Sequence, residues 1–90
     1  MTKERTFTTD ELQALARLYE ARYGLFGDEN KPVSLSLLAT FMEKEKDEAE
    51  KVMAKLEAEG LVQKLIHARR EFYFITDEGA ADYEYASVDK

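Results

Sequence analysis

Residues 47–62, DEAEKVMAKLEAEGLV, contain the change of period that decides the fold. Up to Glu59 the apolar residues Ala49, Val52, Met53 and Leu56 recur at three- and four-residue steps, which places them on one face of a helix running from about Lys46 to Glu59. Gly60 supplies the residue type at which helices commonly stop. Beyond it the helical period is gone. LVQKLIHA and EFYFIT are rich in β-branched and aromatic residues and flank Arg69 and Arg70, so residues 61–76 read as a β-hairpin. Its turn lacks a glycine or asparagine signal, which leaves the tip undefined at this level.

Working outward, TFTTDELQALARLYEARYG predicts a helix over about 8–23 with both ends marked. Thr8 and Glu11 have capping-box spacing, Phe7 and Leu12 have hydrophobic-staple spacing, and Gly24 is the stop. Leu12, Leu15, Leu18, Tyr19 and Tyr23 form its expected apolar stripe. LFGDENKP (25–32) is punctuated as a loop. Val33 then suits a strand of one or two residues and Ser34 an N-cap. Leu35, Leu38, Ala39 and Met42 follow at helical spacing, so residues 34–59 read as two helices joined by a turn. Thr76, Asp77 and Glu78 open a short last helix, carrying Tyr83 and Tyr85, within a C-terminal segment 77–90 whose end frays.

Composition narrows the function classes. Ninety residues, 44% apolar and 36% charged, fit one small folded domain over 1–90 with one core. The net charge of −6 repels phosphate at long range, so any nucleic-acid contact has to be local. There is no cysteine and a single histidine, His67, which excludes disulfides and thiolate chemistry. No serine–histidine or glycine-rich phosphate-loop pattern accompanies it, so neither an enzyme nor a cofactor is expected, and the carboxylates lack metal-loop spacing. The N-terminus has no apolar signal core and no apolar run is of membrane length, which makes a cytoplasmic location the expectation and a membrane partner not one.

The order helix, short strand, helix, turn, helix, hairpin resembles the winged helix-turn-helix family, particularly its MarR-type and PadR-type regulators. The resemblance rests on LLATFM, KVMAKLEAEGLV and FITDEG, with Leu38-Ala39 in the first helix of the motif, Leu56 to Val62 joining the second to the wing, and Ile75 to Gly79 closing the wing. It covers roughly residues 33–80. It implies an α+β winged helix-turn-helix: a three-helix core, a β-hairpin wing and a short C-terminal helix. It also implies a DNA-binding transcription regulator. One departure stands out: Glu43 and Lys44 occupy the turn where the family often has glycine and an apolar residue.

For double-stranded DNA the candidate contacts are Lys44, Lys46, Lys51, Lys55, Lys64, His67, Arg69 and Arg70. Arg69 and Arg70 are best suited to phosphate or minor-groove contact from the wing. Against this stands the third helix, whose first turns carry Asp47, Glu48 and Glu50 on or beside its outer face; a carboxylate there suits the helix dipole better than a polyanion. The alternative is therefore an acidic winged-helix module for protein–protein contact that engages a partner through this helix or an apolar wing. Phe72 and Phe74 are expected on the hairpin face away from Tyr73 and Ile75. With Tyr19, Tyr23, Tyr83 and Tyr85 they are the candidate interface for a homodimer. The same aromatics in one intramolecular core are the other reading.

Overall fold

The structure, a computed structural model, describes residues 7–24 and 31–88. Its elements follow in the order α1 (Thr9–Tyr23), β1 (Val33–Ser34), α2 (Leu35–Met42), α3 (Lys46–Ala58), β2 (Val62–His67), β3 (Arg70–Ile75) and α4 (Asp77–Val88). The expected α+β order is borne out. Most of the loop expected at 25–32 lies outside the described residues, as does the end of the C-terminal segment expected to fray.

Helix α1 begins on the predicted capping box. The Thr8 N–H donates to Glu11 Oε1 at 2.8 Å and the Glu11 N–H donates to Thr8 Oγ1 at 3.1 Å, satisfying two otherwise orphaned amides. Its buried face is rotated from the predicted stripe. Glu11, Ala14, Leu15 and Leu18 point inward, Leu12 is half-buried, and Tyr23 is 51% exposed. Burial of Ala14, Leu15 and Leu18 against the core sets this face, and Glu11 at its edge is paired with Lys55 of α3 at 2.9 Å.

The departure in the helix-turn-helix turn has a definite geometry. Glu43 takes the left-handed conformation at φ 59°, its N–H donating to Thr40 O at 3.1 Å while the Lys44 N–H donates to Ala39 O at 3.0 Å. This is a Schellman ending with glutamate where glycine is usual, a conformation that costs a non-glycine residue about 1–2 kcal/mol. Buried Met42 and Ala49 on either side hold the chain to it.

Helix α3 ends on the same motif with the preferred residue. Gly60 has φ 79°, its N–H donates to Glu57 O at 2.9 Å, and the Leu61 N–H donates to Leu56 O at 3.0 Å. Leu56 and Leu61 are both fully buried, so the apolar contact that accompanies such endings also turns the chain into the wing.

The sheet has the order β1-β3-β2, all antiparallel. Its centre is Tyr73, paired with Val33 on one side and Lys64 on the other. Tyr73, Ile75, Val33 and Val62 face the helices and join Leu15, Leu18, Leu35, Leu38, Met42, Met53, Leu56 and Leu61 in one core. The undefined tip proves to be a two-residue turn: Ala68 (φ 52°) and Arg69 (φ 65°) both have positive φ, as a type I′ turn requires, and His67 pairs with Arg70 across it. Asparagine and glycine relieve such a turn; alanine and arginine do so less well.

FITDEG turns the wing into α4. The Thr76 N–H donates to Leu61 O at 3.0 Å, and its hydroxyl reaches Gly60 O at 2.7 Å and Leu61 O at 3.0 Å. The same hydroxyl accepts the Gly79 N–H at 3.0 Å, so Thr76 caps α4 while tying it to the start of the wing. Among the described residues no helix is long and apolar enough to cross a membrane.

Candidate nucleic-acid interface

Three of the basic residues singled out above converge. Lys46, the first residue of α3, lines a cleft of about 280 Å³ with Arg69 and Arg70 of the wing, Glu71, and Ser34, Leu35 and Ser36 at the start of α2. The fold brings them together in two steps. β1 pairs with β3 only at Val33 and Ser34, so the chain leaves the sheet edge as α2 just where β3 runs on toward the tip. The short α2–α3 turn then returns the first residue of α3 to the same edge.

The site has an anion's preferences. Ser34 caps α2, its hydroxyl accepting the Leu37 N–H at 3.1 Å, and the first amides of a helix carry the positive end of its dipole. Among the described residues none of Lys46, Arg69 and Arg70 is held in an ion pair. Glu71, the one carboxylate lining the cleft, is engaged by Lys64 at 3.3 Å and accepts a long hydrogen bond from the Tyr73 hydroxyl at 3.4 Å, so its charge is largely offset.

The other candidates lie elsewhere. Lys44 reaches Asp10 of α1 at 3.6 Å and Lys55 reaches Glu11 at 2.9 Å, so these two serve to join α3 and its preceding turn to α1. Lys51 stands exposed on the outer face of α3 among Asp47, Glu48 and Ala54, and His67 is exposed at the wing tip. The first turn of α2 was not foreseen as part of the site. Its signal was Ser34, read only as a cap.

The Lys55–Glu11 pair carries a pH dependence. Burial pushes the Glu11 carboxyl up, but the hydrogen bond and charge of Lys55 together with the bonds to Thr8 outweigh it, and the group lies below its ordinary value of 4.5. A depressed carboxylate contributes stability that is full above the unfolded-state value and is lost as pH falls through the folded one. Acid melts should therefore show wild-type stability falling below about pH 4.5 more steeply than that of Glu11→Gln, which is less stable at neutral pH. Parallel curves would show that Glu11 does not report on the fold.

The aromatic candidates divide. The Tyr19 ring sits 4.8 Å from Tyr23 and 5.0 Å from Tyr83, its hydroxyl donates to Glu84, and Tyr19 and Tyr83 pack on the core, so α1 and α4 hold these two within the chain. An Arg22–Asp77 ion pair joins the same helices. Tyr23 and Tyr85 remain exposed. Phe72 and Phe74 lie on the face away from Tyr73, as expected, but are half-buried; the large apolar side chains that the wing exposes are Leu65 and Ile66.

Solved structures share this architecture. MepR, described as a transcription regulator of the Staphylococcus aureus multidrug efflux pump MepA, superposes with a TM-score of 0.77 at 17% identity over 92% of this chain and 57% of its own. A MarR-family regulator from Silicibacter pomeroyi gives 0.75 at 22% identity, over 91% of this chain and 51% of its own. The fold is a winged helix. The S. aureus MepR–DNA complex matches with a TM-score of 0.76 at 16% identity, covering 91% of this chain and 63% of that one. This winged helix thus spans between half and two thirds of the length of those regulators. Neither a protein-family model nor a curated protein matches the sequence.

Proposed function

We propose that this winged helix binds double-stranded DNA as part of a transcription regulator, seating a backbone phosphate in the cleft between the start of α2 and the wing. The observation that carries this reading is the convergence of Lys46, Arg69 and Arg70 on the first turn of a helix, in a chain whose net charge is −6. It agrees with a fold shared with regulators, one of them solved on DNA. Asp47 and Lys51 are exposed one turn apart on one face of α3, where the lysine suits a phosphate or guanine and the carboxylate suits only a cytosine amino group. Contact is therefore mostly with the backbone, and affinity depends steeply on salt.

A salt series with a short labelled duplex, read by fluorescence anisotropy, tests this. Arg69→Gly with Arg70→Ala should weaken binding at low salt and reduce the slope of log affinity against log salt by about 1.8, at roughly 0.9 per phosphate contact. Arg69→Gly alone should raise the melting temperature while weakening binding, because glycine relieves the positive φ that arginine now tolerates at the site. An unchanged slope, or a wild type that ignores duplex at low salt, sinks the proposal.

One observation favours a second reading. With Lys44 and Lys55 turned to α1, the exposed face of α3 presents Asp47 and Glu48 with Lys51, which suits a basic protein partner better than a polyanion. Absence of duplex binding together with salt-sensitive binding of a polylysine probe would favour it. The exposed rings of Tyr23 and Tyr85 at the α1–α4 surface are where a homodimer would form, in the cytoplasm.

A further inference from the structure

The wing exposes two large apolar side chains next to its cations, one on each face of the ribbon: Leu65 pairs with Phe72 and Ile66 with Glu71. Ile66 is 66% exposed, more than any other large apolar residue described, and Leu65 is 44% exposed. Neither contributes much to the core, which ends at Val62 and Tyr73 on this part of the sheet. β2 is an edge strand of the sheet, and the hairpin closes in a two-residue turn, so the tip is a narrow ribbon. Scattered exposed apolar residues are ordinary. Here the position is specific: Ile66 lies directly across the ribbon from Glu71, which lines the cleft with its neighbour Arg70 and with Arg69.

We propose that Ile66 is an apolar wedge that enters the minor groove of the duplex whose phosphate is held by Lys46, Arg69 and Arg70, and bends it. This rests on the DNA-binding reading above and adds a mode of contact to it. The chemistry fits the occupant. The minor groove is walled by the apolar faces of sugars, and a branched aliphatic side chain pushed against a base step partly unstacks it, at a cost that contacts made by the bent duplex offset. His67, Arg69 and Arg70 around the tip complement the phosphates on either side of the groove, which a purely apolar tip would not. Bending also accounts for how a domain with an acidic α3 gains affinity with few base contacts: sequence enters through the deformability of the step that is opened, with pyrimidine–purine steps preferred.

The test is the bend itself, read by energy transfer between dyes at the two ends of a duplex with a central TA step. Wild type should shorten the end-to-end distance on binding. Ile66→Thr, which keeps β-branching, should bind about fivefold more weakly with most of the bend gone and the salt slope intact; Ile66→Val should retain the bend. Matching melting temperatures for the variants and wild type keep the comparison independent of folding. A wild type that binds without bending, or an Ile66→Thr protein that bends the duplex fully, overturns the wedge and leaves DNA binding standing. No binding by wild type overturns both. If Ile66→Thr instead turns a dimer into a monomer in sedimentation and leaves the bend unchanged, the apolar tip meets a second copy of the chain and the proposal is wrong.

Discussion

Replacing Gly79 with alanine should lower the unfolding free energy by about 3–5 kcal/mol, one of the largest losses any single substitution in this chain would cause. A Cβ built at Gly79 falls 2.0 Å from Leu61 O and 2.8 Å from its carbonyl carbon, far inside contact distance, and the obstacle is backbone that cannot swing aside. That carbonyl is itself fixed: it accepts the Thr76 N–H and is reached by the Thr76 hydroxyl. Making room means pulling α4 away from the start of the wing, breaking the Thr76 bridge and uncovering Ile75 and Leu61, both fully buried. Alanine is worth up to about 1 kcal/mol more than glycine inside a helix, so the steric cost has to exceed the net loss by that much. A domain of this size has about 5–13 kcal/mol in all, and each kcal/mol moves the melting temperature by about 4–8 °C. Thermal or urea denaturation reads the effect directly. A loss under 1 kcal/mol would mean that α4 shifts freely on the sheet, and that Gly79 serves the helix start and not the packing.

Tyr73→Ala should cost about 3–5 kcal/mol, the usual range for removing a fully buried aromatic side chain. Tyr73 is the middle of the three-stranded sheet, 0% exposed, paired on both sides, and no other side chain stands where its ring does. Tyr73→Phe should cost about 1 kcal/mol or less, because the hydroxyl makes only a 3.4 Å contact to Glu71. Burial, with the negative charge of Glu71 beside it, holds that hydroxyl above the ordinary phenol range, so it stays neutral and adds no charge to the core at working pH. The pair of variants separates packing from polarity. Equal losses in the two would assign the stability to the hydroxyl network of Glu71 and Lys64.

Much of the fold was legible because it is written in local chemistry. The capping box at Thr8 and Glu11, the N-cap at Ser34, the stop at Gly60 and the change of period after it are signals carried within a few residues, and each lies where the structure has it. Errors came where distant residues compete. Leucine and tyrosine spacing predicts the inward face of α1, but Glu11 lies inward, where a lysine forty-odd residues later pairs with it, and Tyr23 lies outward. The turn at Glu43 and the hairpin tip at Ala68 and Arg69 carry no glycine, so neither left-handed stretch has a local signature; the packed elements on both sides impose it.

The residues able to bind an anion were likewise visible one by one, as lysines and arginines at plausible places. Their sorting was not. Which lysines hold α1 and which remain for a ligand depends on where α1, the first turn of α3 and the wing meet in space, and sequence spacing has no term for that meeting. Periodicity, caps and one glycine were enough to determine helix, turn, helix and ribbon, because hydrogen bonding and burial within one element follow from neighbours along the chain. Tertiary packing alone decided that Lys46, Arg69 and Arg70 share a cleft with the start of α2 while Lys44 and Lys55 do not, since electrostatic contact is a property of distance through space.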